Sequence, residues 1–481
     1  MRALAEVPLS PASLERFRAL LGESYAQVDD AIAAADRLLR GRVIWHVNST
    51  ARGGGVAEML QSLLAYARGA GVDTRWLTIS GEPDFFRVTK RLHNHLHGSP
   101  GDGEVLEAKE RAIYDLTLAE NADALGALVR PRDIVYLHDP QTAGLIELMR
   151  SRGARVVWRC HVGLDHPNDL ARAAWAFLEP YVRHADAYVF SRRAFVWEGL
   201  DESKLWLVPP SIDAFSPKNQ DLEPATVEAI VAGIGLGEKD ANAPAIFERQ
   251  DGSRARVDRV AELDQTGPVP ARAPLVAQVS RWDRLKDPIG LLRSFAEHLR
   301  HPGAHLLLAG PSVAEVADDP EGVEVLAEVR SEWQRLRDAV KRRVHLASLP
   351  MDDIDENAAM VNAIQRRADV VVQKSLAEGF GLTVAEAMWK ARPVVASRIG
   401  GIQDQIVHGE TGLLVDDPTD LGAVAGALDS LLAEPDHAEA MGAAARERVR
   451  TSFLGTRHLV QYMDLINRML QTPAPVKKDA A

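Results

Sequence analysis

Two doubly wound α/β units facing a crevice are the architecture this sequence predicts. Three observations carry the prediction. Short, near-continuous apolar runs alternate with longer segments of helical periodicity, as in parallel sheets covered on both faces. The alternation occurs twice, up to residue 209 and again from residue 274, with a proline-punctuated, charged stretch between. The length of 481 residues is too great for one compact domain and sufficient for two with sizeable cores.

Taken in order, residues 1–40 read as a helical lead-in, with Leu14, Phe17, Leu20 and Leu21 on one face. Residues 42–48 form a strand, followed by the turn Ser49-Thr50-Ala51-Arg52-Gly53-Gly54-Gly55. A helix then carries Val56, Met59, Leu60, Leu63, Leu64 and Ala67 at helical spacing. Strand, glycine-rich turn and helix suit a loop that approaches a phosphate or a sugar. The turn is not GxGxxG, so a dinucleotide fingerprint is missing, and a plain tight turn explains the piece equally well. Further strands are expected at 72–79, 133–139, 155–161, 186–191 and 205–209. His138, Asp139 and His161 fall at carboxyl ends, where such sheets bind ligands. A histidine there is either a hydrogen-bonded structural residue or a ligand contact, and the pattern leaves both open.

The domain boundaries follow. Residues 1–215 make the first unit, 216–271 a linker and insertion with a helix near 224–233, and 272–455 the second unit. A helix at about 456–471 is expected to pack back on the first unit, and residues beyond 472 to fray. In the insertion, Arg249, Arg254, Arg256 and Arg259 alternate with acids, which suggests a solvated or subunit-contacting surface. The second unit starts with a strand at 274–281, and strands follow at 305–309, 343–347, 369–373, 393–397 and about 412–415. Helices at 420–433 and 436–450 complete it.

Composition excludes several classes. A net charge of -12 argues against a broad nucleic-acid or anionic-membrane surface. The single cysteine, Cys160, rules out an intrachain disulfide framework and fits a reducing cytoplasm, and it removes thiolate zinc sites. Neither a signal-peptide h-region nor a run of about 20 apolar residues is visible. His93, His95 and His97 alternate with other residues, but no matching carboxylates complete a ligand set, so no metal site is assigned.

The chemistry concentrates around Glu378-Gly379-Phe380-Gly381-Leu382-Thr383-Val384-Ala385-Glu386. An apolar strand precedes it, and Leu382, Ala385, Met388 and Trp389 follow at helical spacing. The glycines permit a tight turn, and the first N–H groups of the helix, at Leu382 and Thr383, make a phosphate seat. Two carboxylates flanking an anion site make sense if sugar hydroxyls also need acceptors. Upstream, Arg281 and Lys286 leave a strand end in Ser280-Arg281-Trp282-Asp283-Arg284-Leu285-Lys286-Asp287. Two cations there can neutralise a diphosphate leaving group, although Asp283 and Asp287 also allow a simple salt-bridged loop.

Two such units, Arg281 with Lys286, and the E-x7-E stretch resemble the retaining GT-B glycosyltransferases of the glycogen-synthase and sucrose-synthase type, over about residues 40–470. Five stretches resemble more narrowly the trehalose glycosyltransferring synthases: residues 46–50 with 53–58, 85–90 with His93 and Asn94, 138–141, 158–161, and 378–390. Fungal-type trehalose phosphorylases share much of the pattern. The resemblance implies a GT-B fold of two Rossmann-like domains. It implies glucosyl transfer with retention, from a nucleoside diphosphate glucose such as UDP-glucose or ADP-glucose to free glucose.

The resemblance also implies roles. Arg281, Lys286, Glu378, His161 and Asp139 form the catalytic set. Within it, Arg281 and Lys286 bind the diphosphate, Glu378 accepts from hydroxyls of the transferred glucose, and His161 touches the donor sugar. Gly54, Gly55, Gly381, Leu382, Thr383 and Glu386 bind the donor, Glu386 through the ribose hydroxyls. Gln141, Lys90 and Asn94 bind the acceptor, with Asp139 meeting donor or acceptor sugar. No cofactor is required beyond the nucleotide-sugar donor, and a bound Mg²⁺ is compatible with the chemistry. The partners are small sugars and sugar nucleotides, in a cytoplasmic homodimer.

Three alternatives stay open. A trehalose phosphorylase would place phosphate alone behind the sugar, using glucose 1-phosphate. A non-catalytic sugar-nucleotide sensor would share the fold, but the presence of Arg281, Lys286, Glu378 and Glu386 together speaks against it. An oxidoreductase is disfavoured by the missing GxGxxG. For the acceptor, Arg87, Lys90 and Arg91 could cluster on a helix and bind the phosphate of glucose 6-phosphate, or could be a solvated face.

Overall fold

A computed structural model of the chain describes residues 4–51, 54–238, 243–313 and 320–471. It divides into two compact units. Unit 1 is Met1–Ser211 with Gly455–Ala481, and unit 2 is Ile212–Leu454.

Unit 1 is organised on a seven-stranded sheet. Its strands are β1 (Leu4–Val7), β2 (Ile44–Asn48), β3 (Thr74–Ile79), β4 (Ile134–His138), β5 (Arg155–Cys160), β6 (Ala187–Phe190) and β7 (Leu205–Leu207), in the order β1-β3-β2-β4-β5-β6-β7. All pairings are parallel except β1 with β3. The lead-in is therefore not purely helical: helices Glu15–Leu21 and Ala26–Leu38 do form, but residues 4–7 add an antiparallel edge. Four residues with two charged or exposed positions carry no readable period, and the strand is defined by its partner. The central strands are buried on both faces, with Val47, Val135, Leu137, Val157 and Val189 inaccessible.

The last described helix, Gly455–Gln471, belongs to unit 1. Tyr462, Leu465, Ile466 and Met469 sit on one face and pack with Ile44, Leu63, Ile134 and Tyr136. Each such buried side chain contributes roughly 1.5–3 kcal/mol. The helix is thus held by one apolar stripe rather than by its own propensity.

Unit 2 repeats the plan. A hairpin of β8 (Ile246–Glu248) and β9 (Arg254–Arg256) stands apart from a seven-stranded sheet. That sheet comprises β10 (Glu262–Asp264), β11 (Leu275–Val279), β12 (His305–Pro311), β13 (Val344–Leu349), β14 (Val370–Gln373), β15 (Val394–Ser397) and β16 (Leu413–Val415). The order is β10-β13-β12-β11-β14-β15-β16, with β10 the one antiparallel edge.

The stretch 216–271 is not a separate linker. Helix Pro224–Gly233 packs on helix Ile354–Arg367, and β10 pairs with β13. Nor are its arginines all a free surface. Arg249 forks onto Asp353 at 2.6 and 2.9 Å, and Arg259 pairs with the buried Glu356. Oε1 of Glu356 also accepts the N–H groups of Asp258 and Arg259 at 2.7 Å. These partners lie about a hundred residues downstream, so local charge alternation could not distinguish pinning from solvation.

In both sheets the strand order reverses between two neighbours, β2 and β4 in unit 1 and β11 and β14 in unit 2. Loops leaving the carboxyl ends at such a switch point diverge and leave a ligand crevice. Gly54, Asp139, Arg281, Lys286 and Glu378 lie on these loops.

Candidate active site

In unit 2, the loops after β11 and β14 are fastened to each other. Gln278, the residue before the last of β11, donates to the Lys286 carbonyl at 3.0 Å and accepts the Lys374 N–H at 3.2 Å. Asp287 stands at φ 46° and ψ 54° and caps helix Pro288–Glu297 by accepting the Gly290 N–H at 2.9 Å. Its other oxygen is ion-paired with Lys374, whose side chain is 1% exposed. Lys286 is thereby held beside Glu378, and the two side chains form an ion pair in which both are largely enclosed. Arg281 stands on the more exposed side of the loop, 59% accessible, 3.0 Å from Asp283. The structure thus brings together Lys286 and Glu378, which lie far apart in sequence, while Arg281 answers to an acid of its own loop.

The turn after Glu378 has strict backbone requirements. Gly381 adopts φ 80° and ψ 62° and caps helix Leu382–Trp389. Gly400 leaves no room for a side chain, since a Cβ there would lie 1.8 Å from the Glu378 carbonyl oxygen. Gln405 closes the turn by donating to the carbonyls of Phe380 at 2.5 Å and Gly381 at 3.3 Å. The first-turn N–H groups of Leu382 and Thr383 have no intrahelical acceptor and carry the positive end of the helix dipole. Glu386, one turn further on, is 1% exposed, and its Oε1 lies 3.1 Å from Lys218 Nζ.

In unit 1, the switch-point loops carry Gly54 and Asp139. Gly54 caps helix Gly55–Gly69 at φ 82° and ψ 155°, and the preceding Arg52 and Gly53 lie outside the described residues. Asp139 takes φ 62° and ψ 178°, a conformation that side chains other than glycine's rarely tolerate. Hydrogen bonds to its backbone and to its side chain hold it there. Its N–H donates to the Arg159 carbonyl at 2.8 Å, and its carbonyl accepts from Trp158 Nε1 at 3.2 Å and Thr142 Oγ1 at 3.4 Å. Its Oδ1 accepts the His161 N–H at 2.7 Å. Burial pushes its carboxyl up to about 7, against the opposing pull of the His161 N–H and of Arg159.

Behind Asp139 runs a chain of three buried histidines, in β2, in β4 and immediately after β5. His161 Nε2 meets His138 Nδ1 at 3.2 Å, and His138 Nε2 meets His46 Nδ1 at 3.0 Å. Arg159 Nε, which can only donate, faces His161 Nδ1 at 3.4 Å. Every ring must then be the Nε2–H tautomer, donating towards His46. Burial, and after it Arg159, hold His46 down to about 3, and keep His161 well below the ordinary imidazole range. His138 is held well below it too, by burial, by its two histidine neighbours and by Arg159. Both ring nitrogens of His161 are engaged within the unit, and the residue is 9% exposed. Its backbone N–H fixes the Asp139 carboxylate.

Arg159 is itself inaccessible. It donates to His458 Nε2 at 2.7 Å, to the Val208 carbonyl at 3.1 Å and to the Tyr462 hydroxyl. Sequence analysis missed this guanidinium because its partners come from the last helix.

The other expected contacts lie elsewhere on unit 1. Lys90 is exposed and Asn94 half-buried on helix Pro83–Leu96, and Gln141 is half-buried in the short 3-10 helix Pro140–Leu145. Arg87 and Arg91 do not converge with Lys90 on an open face. Arg91 is buried and forked onto Asp102 at 2.9 Å, and Arg87 pairs with Asp84. Among the described residues, no cluster of three or more His, Cys, Asp or Glu could hold a metal ion, and no helix is long and apolar enough to cross a membrane.

Residues 46–197 match the family described as trehalose synthase, N-terminal domain, and residues 260–448 match glycosyl transferases group 1. A trehalose synthase of Pyrococcus horikoshii is 37% identical over 476 residues, covering 98% of this chain and 99% of the relative. The chain belongs to the trehalose synthase family of glycosyltransferases. A trehalose synthase of Thermococcus litoralis is 35% identical over 94% of this chain and 96% of its own length. A trehalose phosphorylase of Pleurotus sajor-caju is 28% identical over 86% of the chain, which spans only 56% of that protein. Among solved structures, an α,α-trehalose-phosphate synthase from Burkholderia xenovorans in complex with glucose-6-phosphate aligns with a TM-score of 0.65 at 16% identity, covering 90% of this chain and all of that one. An Anabaena protein in complex with UDP and glucose aligns with a TM-score of 0.58 at 14% identity, over 89% of this chain and 100% of its own. At these identities the likeness shows the fold, which is GT-B. The protein is a glycosyltransferase of trehalose metabolism.

Proposed function

We propose that this glycosyltransferase makes α,α-trehalose from a nucleoside diphosphate glucose and free D-glucose, with retention at the transferred carbon. The observation that carries the reading is the cluster at the unit 2 switch point. There Lys286, Glu378 and the Gly381-capped helix start lie together, with Glu386 one turn further on and buried. A diphosphate is anionic and needs the cation and the helix N-terminus. A ribose diol needs a buried acceptor, which glucose 1-phosphate would leave unused. This favours a nucleotide donor over phosphate alone.

In the reaction, the acceptor hydroxyl oxygen forms the new bond to the anomeric carbon as the bond from that carbon to the phosphate oxygen breaks. The hydroxyl proton passes to the departing phosphate oxygen on the same face. Charge grows on the leaving group, and Lys286, Arg281 and the Leu382 and Thr383 N–H groups neutralise it. Glu378 accepts from the glucose hydroxyls and fixes the ring, so the protein works by positioning and charge. In unit 1, the backbone of Asp139 fixes the angle of its carboxyl, which suits it to meet a donor or acceptor sugar.

Free glucose as acceptor is supported by the fate of the basic helix face. Arg91 is committed to Asp102 and Arg87 to Asp84, so a convergent phosphate clamp with Lys90 is not assembled. The test is incubation with equimolar glucose and glucose 6-phosphate, and with UDP-, ADP- or GDP-glucose or glucose 1-phosphate as donor. A neutral, non-reducing disaccharide, α at both anomeric carbons of its single linkage, is expected from a nucleotide donor. A phosphorylated product, or turnover from glucose 1-phosphate alone, overturns the reading.

A further inference from the structure

Glu386 is almost wholly enclosed, in a helix whose neighbouring side chains Ala385, Ala387, Met388 and Trp389 are buried as well. An ionised carboxylate in such a place needs a cation. Lys218 Nζ, on a side chain 23% exposed, supplies one at 3.1 Å from a loop that looks like connector in the sequence. That loop is fixed on both sides of Lys218. The Pro217 and Gln220 carbonyls accept from Asn362 Nδ2 at 3.1 and 2.9 Å. The Asn219 carbonyl accepts from Trp389 Nε1 at 3.1 Å. Asn219 Oδ1 accepts from Lys390 Nζ at 2.9 Å, and that ammonium also donates to the Glu386 carbonyl at 3.1 Å. The helix that carries Glu386 therefore holds the loop that carries its cation, through two of its own neighbours, Trp389 and Lys390. A solvent-facing connector would not need this fixation.

We propose that Lys218 is a positioning residue of the nucleotide-donor site. By holding Oε1 of Glu386, it fixes the carboxylate in the orientation that accepts from the ribose diol of the donor. The proposal rests on the donor reading given above. It differs from a phosphate-binding role, because Lys218 acts through Glu386 and a ligand without ribose would not sense it.

The experiment compares wild type with Lys218→Met, Lys218→Arg, Glu386→Gln and the Lys218→Met/Glu386→Gln double variant. UDP, ADP, GDP and inorganic pyrophosphate are the calorimetric probes. UDP-, ADP- and GDP-glucose serve for steady-state rates, and thermal unfolding checks each variant. Loss of a charged hydrogen-bond partner should weaken the preferred nucleotide about 10–100-fold in Lys218→Met and leave pyrophosphate within about twofold. KM should rise while kcat at saturating donor falls less than about threefold. Lys218→Arg should recover most of the affinity. The double variant should bind no more than about twofold more weakly than Glu386→Gln, and should melt above Lys218→Met, because the unpaired buried carboxylate is gone. Equal weakening of pyrophosphate, an additive double variant, or unchanged nucleotide affinity in Lys218→Met each overturns the role of Lys218 alone. A wild type that binds none of the three nucleotides overturns the donor reading and this proposal with it.

Discussion

Asp139 offers a direct measurement of strain at the candidate site. Its backbone sits at φ 62° and ψ 178°, a region populated almost only by glycine. Holding another residue there costs about 1–3 kcal/mol. Asp139→Ala and Asp139→Gly both delete the carboxylate that accepts the His161 N–H, so their difference isolates the backbone. Glycine relieves the strain but adds about 0.4–1 kcal/mol of freedom to the unfolded chain. The net advantage of Asp139→Gly over Asp139→Ala is then about 0.5–2 kcal/mol. For a unit of this size that corresponds to a melting point roughly 1–8 °C higher. Thermal unfolding by circular dichroism, on both variants in one buffer, makes the comparison. An alanine variant that melts at or above the glycine variant would show that the surrounding hydrogen bonds impose no strain, and the reasoning would fail.

The same residue predicts a pH dependence. Its carboxyl titrates near 7 in the folded chain and near the ordinary carboxylate value when unfolded, so folding favours the protonated form. Stability contributed by this group is therefore lost as pH rises from about 4 to 7, and the advantage of Asp139→Asn over wild type should grow across that window by a few kcal/mol at most. Melting curves at pH 5 and pH 8 that show no such divergence would contradict the assignment. Lys286→Ala should lower turnover by about two to four orders of magnitude, and Arg281→Ala by less, because the enclosed Lys286 meets less competing solvent than the exposed Arg281. Initial rates at saturating donor decide the order. Gly381→Ala forces a left-handed alanine whose Cβ lies 3.0 Å from Ile402 Cγ1 and 3.3 Å from Glu378 Cγ. It should destabilise by about 1–2 kcal/mol. Its effect on kcat should exceed that on stability, and a variant with wild-type kcat would show that the turn does not set Glu378.

Much of this was legible because the signals are local. The strand before Glu378, its glycine turn and the helix after it lie within one short stretch, and each has its own periodicity or backbone demand. Asp139 and His161 could be placed just past the carboxyl ends of their strands because the apolar runs before them stop there. What escaped depends on partners remote in sequence. β1 and β10 are short polar edges that exist only through β3 and β13. Lys374 follows the expected strand 369–373 with no local partner for its charge, and its partner Asp287 lies on the loop after β11. Three histidines in or just after separate strands could have been joined in advance, since β2, β4 and β5 are neighbours in the order that such sheets adopt. The direction of their hydrogen bonds could not, because it is set by Arg159.

The return of the chain at Gly455 has a consequence for synthesis. Unit 2 is contained within unit 1 along the chain, since unit 1 comprises Met1–Ser211 and Gly455–Ala481. All of unit 2 leaves the ribosome before the helix that covers Ile44, Ile134 and Tyr136 has been made. During that interval the nascent first unit presents an apolar face with no intramolecular cover, in the state where chains bind chaperones or aggregate. The inner unit can therefore mature first, and the outer one completes its core only after the helix ending at Gln471 has emerged.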